Sequence, residues 1–124
     1  MNGAELITRE RVRQIEEEGW TQEHDCGHSG GELAWAAVCY AAPDKVYRRN
    51  NDQTFDNFEF CDPWPWARFW DKRSRTFWDK RSRTKQNEES TTRIACLVKA
   101  GALIAAEIDR LRCVEIQRRE ASNE

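Results

Sequence analysis

Apolar positions recur at helical spacing in three stretches, and these frame the chain. Over residues 6–18 the apolar set is thin, with Leu6, Val12 and Ile15 set among charged residues, and Gly19 stands where a C-terminal glycine belongs. Thr8 is the N-cap candidate for this first helix. Residues 31–42 place Leu33, Ala36, Ala37 and Tyr40 at i, i+3, i+4 and i+7, one face of a second helix that stops before Pro43. Ser29 or Gly30 can cap it, and its alanines permit another helix to come close. Residues 91–119 form the longest periodic stretch, with Ile94, Leu97, Val98, Gly101, Ala105, Ile108 and Leu111 as the buried stripe, Thr91 or Thr92 as cap and fraying from Arg118 onward. A glycine in mid-helix costs about 1 kcal/mol against alanine, so Gly101 marks close packing.

Between these helices the periodicity lapses. Residues 20–31 read as a loop rich in Gly, Asp and His. Residues 44–90 carry Phe55, Phe58 and Phe60, then Pro63-Trp64-Pro65-Trp66, then Phe-Trp-Asp-Lys-Arg-Ser-Arg-Thr twice in tandem at 69–76 and 77–84. Eight residues match no repeat architecture, so the duplication reads as an insertion and not a solenoid. The expectation is a single all-α domain over 1–124. It is a small bundle of two central antiparallel helices, a peripheral N-terminal helix and a Trp-rich, partly irregular insertion at 44–90, completed by dimerisation because short helices leave apolar faces uncovered.

Composition narrows the function classes. The chain has 124 residues, 39% apolar and 34% charged, enough for one modest core. No apolar run reaches membrane-spanning length, and the acidic start has no signal-peptide h-region, which leads to the expectation of a soluble cytoplasmic protein. Five cysteines without a CxxC pair read as reduced thiols. The net charge is −2, but residues 63–85 hold 8 basic and 2 acidic side chains on an otherwise acidic chain. That pattern suits a local anion site and not the broad basic face of a duplex-DNA binder.

Several residue sets carry candidate chemistry. Trp20, Trp64, Trp66 and Trp70 offer faces on which a nucleobase can stack, and Arg68 and Arg73 can pair with phosphate. The bland reading of the same tryptophans is core and groove wall, anchored by the stiff Pro-Trp-Pro-Trp backbone. His24 and Asp25, in His-Asp-Cys-Gly-His, are ligand-contact candidates, with a helix-capping turn or a structural metal as alternatives. Glu10, Gln14, Glu32 and Glu107 are candidates for a polar cluster or a metal site. No phosphate loop, nucleophile elbow or Ser-His-Asp order is present, so no catalytic residue is assigned.

Residues 7–25, Gly31-Glu32-Leu33-Ala34, Pro63-Trp64-Pro65-Trp66 and the Lys-Ala-Gly-Ala-Leu-Ile-Ala-Ala-Glu-Ile-Asp-Arg run at 99–110 resemble a family of small phage and prophage proteins. The order of the helices also resembles, more distantly, MazG-like all-α nucleoside triphosphate pyrophosphatases. That family holds Mg²⁺ through Glu-Glu-x-x-Glu and Glu-x-x-Asp helices. Here Glu32 has Ala36 one turn later, and Glu107 and Asp109 point to different faces, so the carboxylate set is incomplete. The leading expectation is therefore a phage-encoded, non-catalytic protein that binds a nucleotide or related phosphorylated small ligand. It requires no cofactor, forms a homodimer or higher homo-oligomer, and could sequester a host defence signal. The alternatives are an Mg²⁺-dependent pyrophosphatase using Glu10, Glu32 and Glu107, and an inhibitor that binds a host protein.

Overall fold

In the computed structural model, residues 1–49, 60–66 and 86–123 are described, with backbone only at 60–61 and 86–91. The described residues form an all-α protein: α1 (Gly3–Glu18), α2 (Gln22–Asp25), α3 (Glu32–Ala41) and α4 (Gln86–Ser122). One minimal ribbon joins β1 (Arg48–Arg49) to β2 (Phe60–Cys61), antiparallel, with Arg48 opposite Cys61 and Arg49 opposite Phe60. No helix among the described residues is long and apolar enough to cross a membrane.

Helix α1 starts earlier than the apolar spacing predicts. Asn2, not Thr8, is its N-cap and accepts the Glu5 N–H, while the Thr8 hydroxyl donates within the helix to the Ala4 carbonyl. Gly19 closes the helix at φ 71°, with its N–H bonded to the Gln14 carbonyl. The next segment is not wholly loop: Thr21 accepts the His24 N–H and caps the single turn α2. Helix α3 begins after Gly31, whose φ of 82° does the work expected of Ser29 or Gly30, and no side chain caps it. Helix α4 extends past both expected ends, without fraying at Arg118.

The core lies between α3 and α4. Leu33, Ala36, Ala37 and Tyr40 are buried on α3, as their spacing predicts, against Cys96, Ala100, Leu103 and Ala106 of α4. Alanine on both surfaces lets the two helices pack closely. The two helices run antiparallel, because the end of α3 meets Arg93 near the start of the described α4 side chains.

Only part of the expected stripe on α4 turns inward: Val98, Gly101 and Ala105 are half-buried, whereas Ile94 (54% exposed), Leu97, Ile108 and Leu111 face outward and the neighbouring small-residue face is buried. Close helix packing selects the face that lets backbones approach, and large aliphatics at those positions would hold α3 away. Helix α1 shows a related reversal: Val12 and Ile15 are exposed, and the inward face is Leu6, Ile7, Glu10 and Gln14. Gly101 marks the crossing of α1, since a Cβ there would lie 2.5 Å from Ile7 Cδ1.

Candidate functional site

Three chain segments far apart in sequence meet at one end of the α1–α3–α4 packing. Asp62 fixes the entry of the Pro-Trp-Pro-Trp segment, its carboxylate accepting the Trp64 N–H at 3.0 Å. Pro63 is buried, and the two prolines hold the backbone stiff, so Trp64 and Trp66 project against the core at a fixed spacing. Trp64 meets Tyr40 edge to face at 5.5 Å and meets Trp66 at 5.5 Å and 90°. Trp66 in turn contacts Trp20 at 6.2 Å and His28 at 5.4 Å. His24 stacks parallel to Trp20 at 6.4 Å and meets His28 at 5.1 Å. The result is a continuous aromatic surface of six rings.

Beneath it lies a narrow cleft with a free volume of about 20 Å³, room for about one water molecule. Trp20, Tyr40, Trp64, Trp66 and Leu103 give it apolar walls, and Gln14, Glu18, Arg13 and Lys99 supply polar groups. Gln14 is 2% exposed, and its Oε1 has no hydrogen-bond partner among the described residues. An acceptor buried in that state costs about 1–3 kcal/mol until a donor reaches it.

The cations at the cleft are held by carboxylates. Arg13 bonds Glu10 at 2.6 Å and Glu18 at 3.1 Å, and Lys99 Nζ lies 3.8 Å from Glu10. Burial alone would raise the Glu10 carboxyl, but the Arg13 hydrogen bond and the Lys99 charge outweigh it and hold it below its ordinary value. Glu10, first of all through its hydrogen bond, raises the Arg13 guanidinium further above its already high value.

The sequence candidates divide by place. Trp20, His24, Trp64 and Trp66 are brought together on the aromatic surface, and Gln14 lies under it. Arg68, Trp70 and Arg73, with the tandem repeat, fall outside the described residues. Asp25 is 1% exposed and ion-paired with Arg11 at 2.9 Å. Its other oxygen lies 3.3 Å from His24 Nδ1, which orients that ring.

Glu32 pairs with His28 at 3.1 Å, Glu107 pairs with Arg110, and Glu10 stands with Arg13 and Lys99. The polar-cluster candidates thus separate into three places. Among the described residues no three His, Cys, Asp or Glu side chains converge closely enough to hold a metal ion.

Tyr40, Arg13 and Lys99 line the cleft and His28 joins the aromatic surface, and sequence reasoning did not place them at the site. Tyr40 carried a signal, its position on the inner face of α3, but it read as core. Lys99 carried none, because only the docking of α1 on α4 brings it to Glu10. No protein-family model matches the chain, and neither a curated protein nor a solved structure shows significant similarity to it.

Proposed function

We propose that the protein is a non-catalytic binding protein for a nucleotide or a related phosphorylated small ligand, bound at the Trp20–Trp64–Trp66 surface. The observation that carries this reading is the buried Gln14 Oε1, without a partner among the described residues, in a cleft walled by aromatic rings and bordered by Arg13 and Lys99. A base lies flat on an indole face and presents the edge bearing an amino group to Gln14; aromatic stacking contributes about 1–3 kcal/mol per base. The phosphates face Arg13 and Lys99 at the cleft mouth and must take the place of Glu10 and Glu18, which hold those cations in the free protein. The cleft is narrow, so the ring stacks at its mouth and only its edge enters.

The resemblance to small phage proteins gives such binding a setting, the sequestration of a host signal nucleotide. We infer self-association as part of the same reading, as a homodimer.

Thermal unfolding and calorimetry against ribonucleoside mono-, di- and triphosphates and cyclic dinucleotides test the proposal. The expected result is stabilisation by a subset of these ligands, recovered unchanged by mass spectrometry, and lost on Trp66→Ala. No stabilisation by any of them would sink the reading. Release of pyrophosphate from a triphosphate with Mg²⁺ would replace it with an enzyme.

A further inference from the structure

The single turn α2 is held between two helices, and the residue that ends it meets a second thiol. On one side Asp25 is ion-paired with Arg11 of α1 at 2.9 Å. On the other, Gln22 Nε2 donates to the Asp109 carbonyl of α4 at 3.3 Å. Cys26 stands one turn after Gln22, with its N–H bonded to the Gln22 carbonyl at 3.0 Å, and Cys113 stands one turn after Asp109. Residues four apart on a helix lie one above the other, so these two rows run side by side in the same direction. Gln22 meets Asp109 on the first rung, and Cys26 meets Cys113 on the second, where the two thiols are hydrogen-bonding neighbours.

The other two cysteines with described side chains, Cys39 and Cys96, are 1% and 4% exposed. Cys26 is exposed and Cys113 half-buried. Among the described thiols only this pair joins one open to small molecules with a second at its side. Their turn lies outside the α3–α4 core, so drawing the sulfurs in to the ~2.05 Å of an S–S bond disturbs no core packing.

We propose that Cys26 and Cys113 form a reversible disulfide by exchange with a low-molecular-weight disulfide, clamping α2 to α4. The site goes beyond the ligand reading and does not depend on it. Cys26 gives its proton to solvent and attacks one sulfur of the small disulfide RS–SR; a Cys26 Sγ–SR bond forms and one RS⁻ leaves. Cys113, deprotonated in turn, attacks Cys26 Sγ and displaces the second RS⁻. Two protein thiols become one S–S bond, and the small disulfide is reduced to two thiols.

Loss of water around the sulfur and the neighbouring Cys113 push the Cys26 thiol above its ordinary value. Cys26 is therefore not a reactive thiolate in its own right, and closure relies on the second thiol standing beside the adduct. The bond closes a loop of about 87 residues, which restricts the unfolded chain. In the folded chain it fixes the turn that carries His24 against Trp20.

Mass spectrometry of the reduced full chain, equilibrated with oxidised glutathione and quenched in acid, provides the test. The expected product is lighter by about 2 Da, the two thiol hydrogens, and its peptide map joins Cys26 to Cys113. Cys113→Ser is expected to stop at the glutathione adduct of Cys26, and Cys26→Ser to give no cross-link. The oxidised wild type is expected to melt about 5 °C or more above the reduced form, a difference that dithiothreitol abolishes. Wild-type protein that stays unmodified or halts at the adduct overturns the proposal, as does a cross-link from either thiol to another cysteine. An oxidised form that melts no higher than the reduced one overturns the clamp. These readings are made on the wild type, so they stand even where a serine variant fails to fold.

Discussion

Arg93 on α4 donates to the Ala42 carbonyl at 2.9 Å, across 51 residues of chain. The same guanidinium reaches the carbonyls of Tyr40 and Ala41, so one side chain occupies the open C-terminal end of α3. Helix α3 has no basic residue in its last turn, so Arg93 brings hydrogen-bond donors and a compensating positive charge to its final carbonyls. Arg93 thereby sets the height at which α3 rests on α4.

Replacing Arg93 by alanine is expected to destabilise the protein by about 2–3 kcal/mol, from the loss of charge-assisted bonds to partly buried carbonyls. Lysine should recover less than half of that, since it has no planar fork. Urea denaturation of the two variants measures the difference. A loss under about 0.5 kcal/mol for Arg93→Ala would mean that the cap is incidental.

Arg11 and Asp25 form the most buried ion pair described, with side chains 11% and 2% exposed. Asp25→Ala strands the guanidinium and is expected to cost about 3–5 kcal/mol. Arg11→Met with Asp25→Leu should cost less than either single change, because no charge is left unpaired. A double-mutant cycle checks this, and additive losses would refute the coupling.

Gly101→Ala tests the crossing of α1 over α4. Helix propensity favours alanine by about 1 kcal/mol, but the new methyl would sit 2.5 Å from Ile7 Cδ1 and 3.2 Å from Cγ2. The contact with Cγ1, at 2.7 Å, cannot be relieved by rotating χ2 alone, so a net loss of about 1–2 kcal/mol is expected. In an Ile7→Ala background the same substitution should become neutral or stabilising. Thermal unfolding of the four proteins decides it, and a stabilised single Gly101→Ala would show that α1 yields freely.

The folded-state pKa of Glu10 lies below its ordinary 4.5. A depressed carboxyl contributes stability above the unfolded value, and that stability is lost as pH falls through the lower folded value. The contribution should therefore be complete at neutral pH and disappear on acidification below about 4.5, with α1 loosening from Lys99. Glu10→Gln is expected to lower stability at pH 7 and flatten the acid limb of the stability profile. Parallel acid limbs for wild type and variant would exclude Glu10 as the source.

Much of the fold could be read from local order. Gly19 ends α1 because a left-handed residue was required there, and the 3.6-residue spacing of Leu33, Ala36, Ala37 and Tyr40 fixed the inner face of α3. Pro63 and Pro65 marked a stiff anchor, and the aromatic ring types at the site were evident from composition. These are properties of neighbours in sequence, and the chain alone determines them.

Tertiary structure decided which of two apolar faces on α4 would be buried. Hydropathy favours Ile94, Leu97, Ile108 and Leu111, yet the core takes Cys96, Ala100, Leu103 and Ala106. Close packing against the alanines of α3 rewards small side chains, and that reward exists only once the two helices meet. The same holds for the cleft. Tyr40, Lys99 and Gln14 come together only through docking across dozens of residues, and Asp25 pairs with Arg11. Sequence determined where the helices run and which rings they carry; the contact between α3 and α4 determined which face is core, because close packing of small side chains is rewarded only once the two helices meet.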